Sequence, residues 1–237
     1  MCVLRRGFRF FVRHSTLSCC TFSTYLSTHQ PLKNNDRLQD ARTIRKIVSI
    51  DDRTVLAFAG LNADARVLVQ HLRLEGQSYR LTMEDAPTVD WMARHLASIQ
   101  QQYTQQAGVR PFGIATLMAG VTDNTNNKDD ARPVLYQTDP AGTQSKWKAQ
   151  VIGGRNAKSL REFLEKQYTA DLDEAAALKL AVAALLEVVD SGAKTMEVCV
   201  VRLGGKKEML PESAIEAVVT ELTAETTTAT AVTTAAE

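Results

Sequence analysis

The chain has 237 residues, 44% hydrophobic and 23% charged, with a formal net charge of +1 at pH 7. That is the profile of a globular protein able to bury one sizeable core, and its interspersed charges give no global field for nucleic acid or anionic lipid. Cys2, Cys19, Cys20 and Cys199 make no CxxC pair and no metal-ligand spacing with the histidines, so neither a disulfide framework nor a zinc site is expected, and no cofactor is called for.

Residues 1–33 are read as an atypical head. Arg5, Arg6, Arg9 and Arg13 occur among many Ser and Thr, and the first acidic residue is Asp36. That composition matches a mitochondrial presequence, and a mis-assigned gene start is the competing explanation. On either account the head is expected to be disordered or an artefact.

From Leu38 the pattern becomes regular. Arg45–Ile50 and Thr54–Phe58 read as two strands joined by the turn Asp51-Asp52-Arg53. Gly60 then lets the chain turn, Asn62 is a candidate cap, and Asp64 sits in the first helical turn, where the dipole favours negative charge. Ala65, Leu68, Val69 and Leu72 mark a helix to about Tyr79. Pro87 is placed in the first turn of a second helix, whose stripe is Val89, Met92, Leu96, Ile99 and Tyr103.

The run Phe112–Gly120 reads as a strand covered on both faces. Val121–Arg132, rich in Asp and Asn, reads as an exposed loop lacking the ligand order of a calcium site. Pro133–Thr138, the turn Asp139–Gly142 and Lys146–Ile152 complete a further hairpin. Two helices follow, one after Gly153-Gly154 bearing Leu160 and Leu164, and one with Leu178, Ala181 and Leu185 that begins near Asp171 or Asp173 and ends at Ser191-Gly192. The two glycines lack the GxGxxG spacing of a dinucleotide site. Thr195–Val201, a turn at Gly204-Gly205, and Glu208–Leu210 read as strands, and Pro211 opens a last helix. Residues 224–237, mostly Thr, Ala and Glu, are expected to be a disordered tail. No stretch is long and apolar enough to span a bilayer.

Strand runs alternating with helix pairs fit an α+β protein, a four-layer α/β/β/α sandwich over residues 34–223. Several segments in order, namely Leu38–Ile47, Phe58–Arg66, Tyr103–Gln105, Arg110–Gly113, Leu135–Thr143 and Ala157–Lys166, resemble the α-type subunits of the 20S proteasome core. The resemblance implies the N-terminal-nucleophile hydrolase fold and a non-catalytic structural and gating subunit of the outer ring. Implied partners are other α subunits in a seven-membered ring, β-ring subunits, and regulatory-particle ATPases or other activators, acting in ubiquitin-dependent degradation in cytoplasm and nucleus.

The resemblance also assigns a docking pocket for activator tails. Lys46 would pair with a tail carboxylate, and Gly60 would leave room for the tail; the rival reading of Lys46 is a solvated surface lysine. The only Gly-Thr pair, Gly142-Thr143, lies inside a hairpin, so no processed N-terminal threonine nucleophile is expected and no catalytic residue is assigned. Residues 1–32 lack the family's gate segment, first helix and first strands, whose absence would leave sheet edges uncovered. Two alternatives stay open: a self-processed N-terminal-nucleophile hydrolase or β-type threonine peptidase, and a mitochondrial or non-incorporating protein.

Overall fold

The structure is a computed structural model that describes residues 8–14, 17–28, 45–124, 127–153, 156–169, 172–186, 196–202 and 207–234. Its strands are β1 (Phe8–His14), β2 (Leu17–Thr28), β3 (Ile47–Ser49), β4 (Thr54–Gly60), β5 (Ile114–Asn124), β6 (Asn127–Thr138), β7 (Gln144–Trp147), β8 (Ala149–Ile152), β9 (Met196–Arg202) and β10 (Lys207–Met209). Its helices are α1 (Asn62–Met83), α2 (Val89–Gln105), α3 (Ala157–Gln167), α4 (Glu174–Leu186) and α5 (Glu212–Thr234). The strands form two antiparallel five-stranded sheets, ordered β3-β4-β5-β6-β7 and β10-β9-β1-β2-β8.

Strand alternation sorts the core. Leu56, Phe58, Met118 and Tyr136 of the first sheet pack with Leu68, Leu72, Met92 and Leu96 of α1 and α2. Their neighbours Val55, Ala57, Leu117, Ala119 and Leu135 instead cluster with Ile152, Cys199 and Val201 of the second sheet. Val151, Val198 and Val200 join Leu160, Ala181, Leu185 and Ile215 of α3, α4 and α5. A period of two along each strand places successive side chains on opposite faces, which is why one strand feeds two cores. Leu72, Met92 and Leu96 are fully buried, and truncating any of them to alanine is expected to cost about 2–5 kcal/mol.

The head corrects the sequence reading most. Two strands occupy the segment that was expected to lack them, and they lie inside the second sheet, whose edges are β10 and β8. β1 pairs with β9 in regular register from Phe8↔Arg202 to Val12↔Val198. Its pairing with β2 shifts register three times, and β2 pairs with β9 as well. Phe, Val, Thr, Tyr and Cys are good strand formers, so the β-propensity was present beneath a composition that resembled a presequence. Hydroxyl-rich strands with no clear polar face specify register weakly, which accounts for the shifts.

Other boundaries move for local reasons. α2 begins after Pro87, because Thr88 is the N-cap and its side chain accepts from Trp91 N at 3.2 Å. Much of the expected loop Val121–Arg132 is strand, since β5 runs to Asn124 and β6 starts at Asn127. Lys146–Ile152 is two strands rather than one: a bend at Lys148 sends β7 and β8 to different sheets. The tail expected after Thr223 continues α5 to Thr234; alanine and glutamate favour helix, and the Thr220 and Thr223 hydroxyls donate to carbonyls three and four residues back. The expected features at Asp171, Ser191-Gly192 and Gly204-Gly205, the Gly154 part of the turn before α3, and most of Leu38–Ile47 fall outside the described residues. Among the described residues no helix is long and apolar enough to cross a membrane, and no group of His, Cys, Asp or Glu could hold a metal ion.

Candidate functional site

The junction between β4 and α1 is where sequence, backbone and electrostatics converge. Gly60 ends β4 opposite Ile114 with φ +131°, a conformation that L side chains rarely adopt. A Cβ placed there would lie 2.2 Å from the Gly113 carbonyl oxygen. The missing side chain therefore makes room for the chain's own backbone at the entry to β5. Leu61 N donates to that same carbonyl at 3.2 Å, which fixes the turn.

Asp64, nearly buried, is the polar centre of this junction. Its Oδ1 accepts from Arg110 Nη2 at 2.6 Å, and its Oδ2 accepts from Arg110 Nη1 at 2.7 Å and from Gly113 N at 2.9 Å. The hydrogen bonds from the Arg110 guanidinium, against the opposing effect of burial, hold the Asp64 carboxyl below the usual carboxylate range. A bidentate fork of this kind fixes orientation as well as charge, so it clamps the Arg110–Gly113 segment onto the start of α1. Asn62 does not cap the helix: the N-cap is Leu61, with no side-chain cap bond. Asp64 occupies the first turn as read from sequence, yet its oxygens serve Arg110 and Gly113.

Lys46 immediately precedes β3. The β3–β4 register pairs Ile47 with Ala57, so Lys46 lies at the end of the hairpin at which β4 reaches Gly60. The structure thus brings the two expected site residues to one end of one hairpin. At the other end, Asp51 accepts two bonds from Arg80 Nη2 at 2.6 and 2.7 Å, tying the turn to the last turn of α1. Lys207 of β10 donates to Ser49 Oγ and to the Asp51 carbonyl, linking the edge strands of the two sheets, and burial pulls its ammonium below the ordinary lysine value.

A cavity of about 410 Å³ opens between β3 and α1, with Val48, Phe58 and Val69 as an apolar floor and Arg45, Arg66 and Arg73 around it. Sequence reading missed these arginines and the partner of Asp64. The arginines had a signal, because Arg66, Arg73 and Arg80 recur every seven residues along α1. Arg110 had none, standing 46 positions from Asp64 with nothing local to link them. Cys199, in the core between the sheets, has its thiol pushed up to about 12 by burial, so it is no nucleophile near neutral pH.

Comparison with known proteins places this architecture. Residues 25–201 match the proteasome subunit family. The chain is 52% identical over 194 residues to proteasome subunit alpha type-7 of Dictyostelium discoideum, covering 81% of this chain and 74% of that protein. It is 51% identical over 193 residues to alpha type-7 of Solanum lycopersicum, covering 81% and 72%. With proteasome subunit alpha type-8 of Mus musculus it shares 48% over 192 residues, covering 80% and 74%. The β4–α1 junction and its Arg110–Gly113 clamp lie within the matched span, and on this similarity the chain, with its mixed helices and antiparallel sheets, belongs to the proteasome subunit family, alongside α-type members.

Proposed function

We propose that this chain is a non-catalytic structural and gating subunit of the outer α ring of the 20S proteasome core. It would act in ubiquitin-dependent protein degradation in cytoplasm and nucleus, beside other α subunits and above a β ring. The observation that carries the reading is identity near one half, sustained over four fifths of the chain, to subunits named alpha type-7. In fold, we infer the four-layer α/β/β/α stacking of N-terminal-nucleophile hydrolases. It is supported by the central cluster that joins side chains of both sheets and by the two helix-facing clusters on either side of it.

The non-catalytic role is supported by the place of Thr143. Peptidases of this fold attack with an N-terminal threonine freed by cleavage after glycine. Here Gly142, at φ +87°, packs against α2, and the Thr143 carbonyl accepts from Asp139 N at 3.1 Å across the β6–β7 turn. Cleavage there would cut a hairpin of the first sheet.

Activator docking is the finer part of the proposal. Lys46 is offered as the cation that meets a tail carboxylate, at the hairpin end it shares with Gly60. Gly60 is offered beside it as the position whose missing side chain leaves room for the tail, and an added Cβ there would also meet the Gly113 carbonyl oxygen at 2.2 Å. N-terminal sequencing and a peptidase assay on the purified chain test the catalytic question. An unprocessed interior at Gly142-Thr143 and no intrinsic peptidase activity are expected; a new Thr, Ser or Cys terminus with activity would overturn it.

A further inference from the structure

Where the chain changes sheets, a recess opens. Lys148 is the bend between β7, at one edge of the first sheet, and β8, at one edge of the second. A cavity of about 530 Å³ lies between this bend and α3. Lys146, Trp147 and Lys148 line one side, and Arg161, Glu165 and Tyr168 line the other, over the buried Leu164. The three α3 positions stand four and seven residues apart, a spacing that keeps them on one helix face. The volume falls within the roughly 300–1,000 Å³ of small-molecule sites.

The charges of this recess are open, and one of them is held in place. Among the described residues Lys146, Lys148 and Arg161 pair with no carboxylate, and Glu165 pairs with no cation. Arg161 Nε donates to Gln150 Oε1 at 3.1 Å. Gln150 is buried and is fixed in turn: its Nε2 donates to Gln137 Oε1 at 2.7 Å, and Gln137 Nε2 donates to Asp139 Oδ1 at 2.7 Å. A chain of amides thus anchors an exposed guanidinium by its Nε and leaves the two Nη groups as a fork. Such a fork takes a phosphate or a carboxylate through two bonds, and the neighbouring lysines add point charges suited to phosphate.

The order of groups along α3 narrows the ligand. From Arg161 through Glu165 to Tyr168 is about 10 Å at the rise of a helix. An anion is disfavoured at a helix C-terminus, so it belongs at the Arg161 end, while Tyr168, the C-cap, offers a neutral ring where the carbonyls carry partial negative charge. Trp147 supplies a second, exposed ring. We propose that this recess binds a nucleoside polyphosphate, with phosphates on the Arg161 fork and the two lysines, sugar hydroxyls donating to Glu165, and the base stacked on Trp147 and Tyr168. A simple polyanion or an acidic peptide would meet repulsion from Glu165 and leave the rings unused. A neutral ligand would leave three cations unsatisfied. The inference stands apart from the assembly reading, since this chain alone builds the recess.

Equilibrium dialysis of the purified full-length chain against radiolabelled ADP is expected to show one site per chain. Pyrophosphate alone and adenosine alone should each bind at least tenfold more weakly, because each meets only part of the recess. Arg161→Lys, which keeps the charge and removes the fork, and the pair Lys146→Gln with Lys148→Gln should each weaken ADP by about tenfold to a hundredfold. Trp147→Leu should weaken it by about tenfold. Urea midpoints of these variants should match the parent, because the substituted side chains are exposed. Where a variant unfolds, photolabelling of the parent with an azido-adenine analogue of ADP replaces it and is expected to mark the peptide carrying Trp147 or Tyr168. Pyrophosphate or a polyglutamate peptide binding as tightly as ADP, label confined to other peptides, folded variants that bind like the parent, or no saturable binding at millimolar ADP overturns the proposal.

Discussion

Gly60→Ala separates a backbone role from a ligand-room role at the β4–α1 junction. The added methyl carbon would sit 2.2 Å from the Gly113 oxygen and 2.9 Å from the Ile114 Cα. Both are backbone atoms, pinned by the β4–β5 ladder at Gly60↔Ile114 and by the Leu61 N bond to the Gly113 oxygen, so neither can swing aside as a side-chain tip would. An unfavourable backbone conformation costs about 1–3 kcal/mol, and overpacking against fixed atoms adds about 1–3 kcal/mol, for a loss of about 2–6 kcal/mol. Gly108→Ala is the control: its φ is +84°, but nothing lies within 4 Å of the added carbon, so only the backbone cost of about 1–3 kcal/mol applies. Urea unfolding followed by tryptophan fluorescence compares midpoints at constant slope. The account expects Gly60→Ala to unfold at clearly lower urea than Gly108→Ala. Coincident midpoints would refute the packing argument.

Three further outcomes follow from the described geometry. The Asp64 carboxyl is depressed in the folded chain by Arg110, so its contribution is fully present above the unfolded carboxylate value and is lost as pH falls through the lower folded one; Asp64→Asn should flatten the acid limb of a melting-temperature profile, and an unchanged limb would count against the clamp. Cys199, raised to about 12 by burial, should resist iodoacetamide at pH 8 in the folded chain and react once urea unfolds it, with equal rates in both states contradicting its placement between the sheets. Lys46→Ala should weaken binding of an activator-tail peptide to the assembled particle by about tenfold to a hundredfold, the size of one lost charge-assisted bond, and unaltered binding would remove Lys46 from the proposed pocket.

Much of the fold was legible because burial writes a period into the sequence. The stripe Leu68, Val69, Leu72 announced α1, and Val89, Met92, Leu96 announced α2, with the strands on which they pack marked by apolar runs. Where structure depends on distant partners the sequence was mute. The Lys148 bend between β7 and β8 is marked by no Gly, Pro, Asn or Asp, and only the two sheets decide where each half of Lys146–Ile152 belongs. β1 and β2 were hidden by arginines and hydroxyls that resemble a targeting segment, although their strand-forming residues were in plain view. At the site, Asp64 was read correctly as a first-turn acid and incorrectly grouped with a capping Asn62, because Arg110 and Gly113 arrive from the far side of α2. Gly60 was legible as a turn residue; the atom that forbids a side chain there, the Gly113 oxygen, was not.

The central claim, that this chain is a working part of an α ring, is met most directly by native affinity purification of the tagged full-length chain followed by mass spectrometry and size separation. The account predicts recovery in a particle many times the size of the chain, together with distinct α-type and β-type proteasome subunits. Recovery as a monomer-sized species, with no other proteasome subunit present, would contradict it.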